Sequence, residues 1–228
     1  MSKIIECIPN FSEGRSSEII NQITSEIESV SNVKLLDVDM GYDTNRTVVT
    51  FAGEPDAVSY AAFKAIKKAT SLINMANHSG AHPRMGATDV CPIVPVANIS
   101  IEECIKISRD LAQKVGEQLD IPIYLYEHSA QHVDRKNLAN IRSGEYEGFK
   151  NKIKEKKWHP DFGPKKYNSR SGVTAIGVRD FLIAFNVNLN TGNKKIASDI
   201  ALDIREQGRA KRDSNNKIVR DDKGITIK

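Results

Sequence analysis

A chain of 228 residues with 39% hydrophobic, 27% charged and 6% aromatic residues has ordinary globular composition and length enough to bury a sizeable core. No apolar run approaches the ~18 residues of a membrane helix, and Glu6 interrupts Ile4-Ile5 too soon for a signal peptide, so membrane and secreted readings are excluded. The formal charge of +4 resides in residues 208–228, where seven basic residues are interleaved with three acids without aromatics or a nucleic-acid motif; the stretch reads as a solvated segment and not as a nucleic-acid surface.

Residues 3–8 read as a first strand, closed by Pro9 and the loop Asn10-Phe11-Ser12-Glu13-Gly14. Ser16 or Ser17 caps a helix whose apolar stripe is Ile19, Ile23, Ile27 and Val30. A second strand spans 33–39. The turn-forming run Gly41-Tyr42-Asp43-Thr44-Asn45-Arg46 leads into a β-branched third strand over 47–51. Pro55 suits the first turn of an Ala-rich helix reaching about Met75.

A loop over 77–86 precedes a fourth strand over 89–94. Ser100 and Glu103 form a capping-box pattern at the head of a helix to about Leu119, followed by a fifth strand over 121–126. Residues 135–156 read as helix interrupted at Ser143-Gly144. Loop chemistry returns over 158–172, then two strands over 173–178 and 181–189. A last helix from about Asn193 carries Ile196, Ile200 and Ile204.

This order, βαββαβ and onward, predicts an α/β (α+β) fold: a mixed sheet with helices on one face. A strand, an Asn-bearing loop and an isoleucine-striped helix recur over 3–30 and 181–207. The second copy has little chain left to cover its own sheet face. The expected organisation is therefore one subdomain over 1–178 and the truncated beginning of a similar one over 179–228. Three widely spaced cysteines, Cys7, Cys91 and Cys104, without a CxxC pair, indicate core positions in a reducing, cytoplasmic compartment.

The densest polar loop is Asn77-His78-Ser79-Gly80-Ala81-His82-Pro83-Arg84-Met85-Gly86. Its glycines allow close approach of backbone to a ligand, and Pro83 restricts His82 to extended geometry. A histidine titrating near neutrality is a natural base for deprotonating an amine, although His82 equally suits a helix cap or a carbonyl partner. The pairs His78/His82 and His128/His132 have i, i+4 zinc spacing, but Gly80 and Pro83 break a helix there and no Glu stands between the histidines; no metal is expected. In the loop over 158–170, aromatic residues beside Lys165, Lys166 and Arg170 suit either a flat anionic heterocycle or a surface linker.

Several runs together resemble the formiminotransferase family: His82-Pro83-Arg84-Met85-Gly86-Ala87-Thr88-Asp89-Val90-Cys91-Pro92, Glu6-Cys7-Ile8-Pro9-Asn10-Phe11-Ser12-Glu13-Gly14 and Asp43-Thr44-Asn45-Arg46-Thr47. So do Tyr124-Leu125-Tyr126, Arg142-Ser143-Gly144-Glu145-Tyr146-Glu147, Asp161-Phe162-Gly163-Pro164, Phe181-Leu182-Ile183-Ala184-Phe185-Asn186 and Arg205-Glu206-Gln207-Gly208-Arg209. The resemblance implies an enzyme of histidine degradation and one-carbon metabolism. It would transfer a formimidoyl group between N-formimidoyl-L-glutamate and N5 of tetrahydrofolate, a co-substrate, without a metal. It implies His82 as catalytic base and Gly163, Pro164, Lys165, Lys166, Tyr167, Asn168, Ser169, Arg170, Ser171 and Gly172 as the folate-contacting stretch. Two similar subdomains facing across a substrate tunnel are the family's arrangement.

On chemical grounds Arg46, Arg84, Lys165, Lys166 and Arg170 suit substrate carboxylates, and Asp39 at the end of the second strand suits orienting His82. Small-molecule partners are expected, with no nucleic acid or membrane, and a homo-oligomer is compatible. Formyl transfer from 5-formyltetrahydrofolate to glutamate, or an inactive folate-binding module, are the alternatives; the short C-terminus favours the latter.

Overall fold

In the computed structural model, residues 2–183, 187–205, 209–214 and 217–221 are described. The chain divides into two compact units, Met1–Phe181 and Leu182–Lys228.

The first unit is organised by a seven-stranded mixed sheet. β1 (Ile4–Cys7) and β2 (Asn10–Phe11), parted at Pro9, share one lane between β4 (Arg46–Gly53) and β5 (Thr88–Ala97) and run antiparallel to both. β3 (Val33–Gly41) pairs antiparallel with β4 at one edge. On the other side β7 (Thr174–Val178) adds parallel to β5, and β6 (Ile123–Glu127) adds parallel to β7. The expected mixed α/β architecture is what forms.

Strand alternation assigns the two faces. Cys7, Val49, Phe51, Cys91, Ile93, Leu125 and Ile176 point to one side and are buried beneath α1 (Ser17–Glu28), α2 (Pro55–Leu72) and α3 (Ile101–Leu119). Those helices start where local chemistry says they should. Of the two candidate serines, Ser16 is the cap, its Oγ accepting from Ile19 N at 3.3 Å. Pro55 opens α2, and the Ser100–Glu103 capping box is complete in both directions. α2 ends at Leu72 and not at Met75, because Ile73 is already extended; Met75–Asn77 form a separate 3₁₀ turn.

Helices are not confined to one face as the sequence predicts, because the opposite face is covered toward β5, β7 and β6. There Val90, Tyr124, Tyr126 and Ala175 pack with Ile141 of α4 (Leu138–Arg142) and Phe149 of α5 (Glu145–Lys152). Ser143 and Gly144 separate these two helices, as the sequence predicts, with Gly144 at φ +88°. Lys152 Nζ donates to the carbonyls of Asn140, Ile141 and Ser143 at 2.7, 2.7 and 2.9 Å. The carbonyl end of α4 is thereby satisfied by a cation, which suits the helix dipole and holds Arg142 in place.

The strand expected over 181–189 is not formed among the described residues. Residues 181–183 and 187–189 are irregular and exposed, and 184–186 lie outside the described residues. A strand is stable only where neighbours take its backbone groups. The described part of the second unit offers α6 (Lys194–Ile204), capped by Asn193, and one antiparallel bridge between Arg212 and Ile218. The helix itself forms as expected, but Ile196, Ile200 and Ile204 are exposed. Gln207, Gly208 and residues 222–228 of the basic segment lie outside the described residues.

Candidate active site

The loop between the 3₁₀ turn and β5 is fastened at both ends. At its start, Ala81 N donates to Asp43 O at 3.1 Å, and Asn45 Nδ2 donates to Ser79 O at 2.9 Å. Asn45 also accepts from Gly14 N at 3.0 Å, so one buried amide ties the β2–α1 loop, the β3–β4 turn and the 77–86 loop together. Gly80 permits this contact, since a Cβ there would meet Thr44 O at 2.2 Å. At the far end, Ala87 N donates to Ser171 O at 2.8 Å and Val173 N to Met85 O at 3.1 Å. Ser12 Oγ donates to Gly86 O at 2.7 Å.

His82 projects from this clamped loop and is half-buried. Its Nδ1 lies 2.6 Å from Pro83 O, which can only accept. Its Nε2 lies 2.5 Å from Arg46 Nη1, which can only donate; the same nitrogen is 3.2 Å from Nδ1. These partners select the neutral Nδ1–H tautomer. Burial, and then the Arg46 guanidinium, hold the His82 pKa below the usual histidine range.

Arg46 leaves β4 on the face opposite the helix-covered core. Its Nη2 donates to Asn10 Oδ1 and lies 3.9 Å from Asp89 Oδ2. Asp89 is fully buried at the head of β5, its Oδ1 accepting from Met85 N at 3.0 Å and its Oδ2 from Arg142 Nη2 at 2.5 Å. The site therefore gathers Asn10, Arg46, His82, Asp89 and Arg142 from five separate segments. Burial depresses Arg46 to about 10, which leaves it a cation at neutral pH.

The other expected residues take different places. Arg84 is committed to acids of α5: Nη1 to Glu145 at 2.8 Å and Nη2 to Glu147 at 2.6 Å. It braces the loop instead of presenting a vacant guanidinium. Asp39 is exposed on β3, in register with Val48. The stretch Gly163–Gly172 lies behind the His82 loop. The Tyr167 ring packs at a tilt of 48° against Tyr146, centroids 5.5 Å apart, and the Tyr146 hydroxyl donates to Ser169 O at 2.6 Å. Asn168 Oδ1 accepts from Arg170 N and Ser171 N at 3.1 and 3.0 Å, and Arg170 Nη2 donates to Ser71 O at 2.7 Å. Gly172, at φ +67°, comes so close to Met85 O that a Cβ would stand 2.1 Å from it. Lys165 and Lys166 are exposed.

The two histidines of the i, i+4 pair face different partners. His78 Nε2 donates to Asn45 O at 2.8 Å, and its Nδ1 accepts from Arg84 Nε at 3.3 Å. His78 and His82, four residues apart, are thus turned to separate partners within the loop. Asn10, Asp89 and Arg142 escape a reading of loops because their partners arrive by strand register. One signal does point to Asp89: it is the only acid in β5, where every residue after it is apolar, and a buried charge requires a partner.

Residues 4–179 match the formiminotransferase domain, N-terminal subdomain, and the chain belongs to that family. It is 50% identical over 209 residues to the formimidoyltransferase-cyclodeaminase of Dictyostelium discoideum, covering 92% of this chain and 39% of that protein. It is 47% identical over 208 residues to the glutamate formimidoyltransferase of Streptococcus pyogenes, covering 91% of this chain and 70% of the relative. With the glutamate formimidoyltransferase of Thermoplasma acidophilum the identity is 50% over 204 residues, covering 89% and 67%. The chain thus spans about two fifths of the length of the formimidoyltransferase-cyclodeaminase it matches.

Proposed function

We propose that this chain transfers a formimidoyl group between N-formimidoyl-L-glutamate and N5 of tetrahydrofolate, with His82 as the base. The observation that carries this reading is a neutral imidazole whose Nδ1 is tied to Pro83 O and whose Nε2 lone pair is directed at a cation, in a chain of this family. The acceptor amine attacks the amidine carbon and gives its proton to Nε2. The tetrahedral centre then collapses, and the imidazolium returns that proton to the departing glutamate nitrogen. For Nε2 to receive the proton, Arg46 must release it, and a substrate carboxylate is a better partner for a guanidinium than an imidazole is.

Folate enters as co-substrate. Lys165 and Lys166, exposed on the 163–172 stretch, suit its glutamyl carboxylates. The three unpaired, buried cysteines support a cytoplasmic setting. Among the described residues no helix is long and apolar enough to cross a membrane.

The test is tetrahydrofolate-dependent turnover of N-formimidoyl-L-glutamate by the 228-residue chain, with His82→Ala alongside. Turnover lost in the variant, with folate binding retained, supports the reading. Folate binding without turnover in the unaltered chain replaces it with that of a binding module.

A further inference from the structure

The cations near His82 are not equivalent. Arg46 gives one terminal nitrogen to His82 and the other to Asn10. Arg84 gives both to Glu145 and Glu147. Arg142 reaches the same place from the end of α4 with a different set of commitments. Its Nη2 is held by Asp89, and among the described residues its Nη1 makes no hydrogen bond and its Nε is buried without a partner. Together with His82, Pro83, Ser143 and Gly144 it lines a cleft of about 370 Å³. Glu145, the acid on that wall, is already paired with Arg84.

Charge counting gives the polarity of the cleft. Two guanidiniums, Arg46 and Arg142, face the single buried carboxylate of Asp89, which also accepts the Met85 backbone N–H. Arg84, Glu145 and Glu147 bring the sum to three cations against three acids, but the two acids are spent on Arg84, and the two guanidiniums beside the imidazole share one carboxylate. A guanidinium pinned at one nitrogen and open at the next is pre-oriented for an oxyanion at little cost in side-chain entropy.

We propose that Arg142 binds a carboxylate of the amino-acid substrate in the His82 cleft, and that Asp89 is its positioning residue. The substrate class is an N-acylated or N-imidoylated acidic amino acid, and this rests on the transfer reading above. Asp89 touches no substrate. It fixes the direction in which Arg142 presents its free edge, much as a buried outer carboxylate orients a ligand.

The experiment is a titration of the 228-residue chain with N-formimidoyl-L-glutamate, followed by the proton resonances of the His82 ring. Arg142→Gln is expected to weaken binding roughly 10- to 100-fold, the range for a lost charge-assisted hydrogen bond. Arg142→Lys, which keeps charge but not the planar fork, should fall between. The diamide of the same compound should bind the unaltered chain and Arg142→Gln equally. Asp89→Asn should raise the KM for the donor by a larger factor than it lowers kcat, whereas simple loss of folded protein would lower kcat at constant KM.

Unchanged affinity in Arg142→Gln, an equal loss for the diamide, or no binding by the unaltered chain would each overturn the proposal. Turnover with an unaltered donor KM in Arg142→Gln overturns it and leaves the transfer reading in place. Binding that depends on Arg142 in a chain without turnover does the reverse.

Discussion

Asp89 and Arg142 stand 53 positions apart in the chain, yet Arg142 Nη2 lies 2.5 Å from the Asp89 carboxylate. Asp89 is fully buried and Arg142 mostly so, with a side chain 19% exposed. Removing one partner of such a pair leaves the other charge uncompensated. Asp89→Ala is expected to destabilise the first unit by about 3–5 kcal/mol, read as a shift of the urea midpoint. A change within a few tenths of a kcal/mol would show that water compensates the two guanidiniums and that the carboxylate does not.

Arg46, after burial, lowers the proton affinity of His82. Its guanidinium lies against the ring and, after burial, is the main influence holding the His82 pKa down. Arg46→Met removes that charge, so the imidazole should titrate at higher pH than in the parent chain. An NMR titration of the ring protons measures this directly. The acid limb of kcat/KM should move upward in the same direction.

Burial as well as charge depresses His78 and His82 below the ordinary histidine value of 6.5. The sign of the linkage follows. Below 6.5 the unfolded chain binds protons that the folded one refuses, so unfolding is favoured as pH falls through that value toward the folded pKa values. Stability should be flat with respect to these groups above 6.5 and decline beneath it. Replacing both by Gln should remove that part of the slope in thermal melts recorded from pH 7 to 5.

Gly172→Ala tests the clamp behind the loop. An alanine would have to adopt φ +67° and place Cβ 2.1 Å from Met85 O. The strain at the dihedral alone amounts to about 1–2 kcal/mol, and relief of the clash must displace Met85, three residues from His82. Lower thermal stability together with a reduced kcat is the expected pair of effects. Lower stability with kcat unchanged would show that the loop holds its place without this contact.

Cys7, Cys91 and Cys104 are all fully buried, and Cys7 Sγ lies 3.5 Å from Cys91 Sγ across β1 and β5. Burial pushes the Cys7 thiol far up and Cys104 to about 11. A thiol reagent should therefore react with none of them in the native chain at pH 7, and with all three in guanidinium. Rapid native labelling would show that β1 opens locally.

What could be read in the residues follows the range of the forces involved. Ser16, Pro55 and the Ser100–Glu103 box declare their helices because a cap acts across one turn. The break at Ser143-Gly144 is local in the same way. β2 is silent in the sequence because two residues carry no periodicity, and the apolar residues over 181–189 that suggest a strand find no sheet among the described residues. His82 stood out through its glycine- and proline-rich loop. Its neighbours Asn10, Asp89 and Arg142 did not, since only the pairing of β2 and β5 and the docking of α4 bring them together. Arg84 looked equally available in sequence, but the acids that occupy it lie on α5.

The fastening of the 77–86 loop by Ser171 and Val173 also constrains when the site can exist. Those two residues enter β7, the strand made last among the seven and the one that joins β6 to β5 in parallel. Parallel, sequence-distant pairings close slowly, and helices form well before them. During synthesis, the turn bearing His82 emerges long before the backbone that anchors it. The fastened loop is thus a late acquisition in folding, gained with the closing of the sheet and absent from any collapsed precursor, however helical that precursor has become.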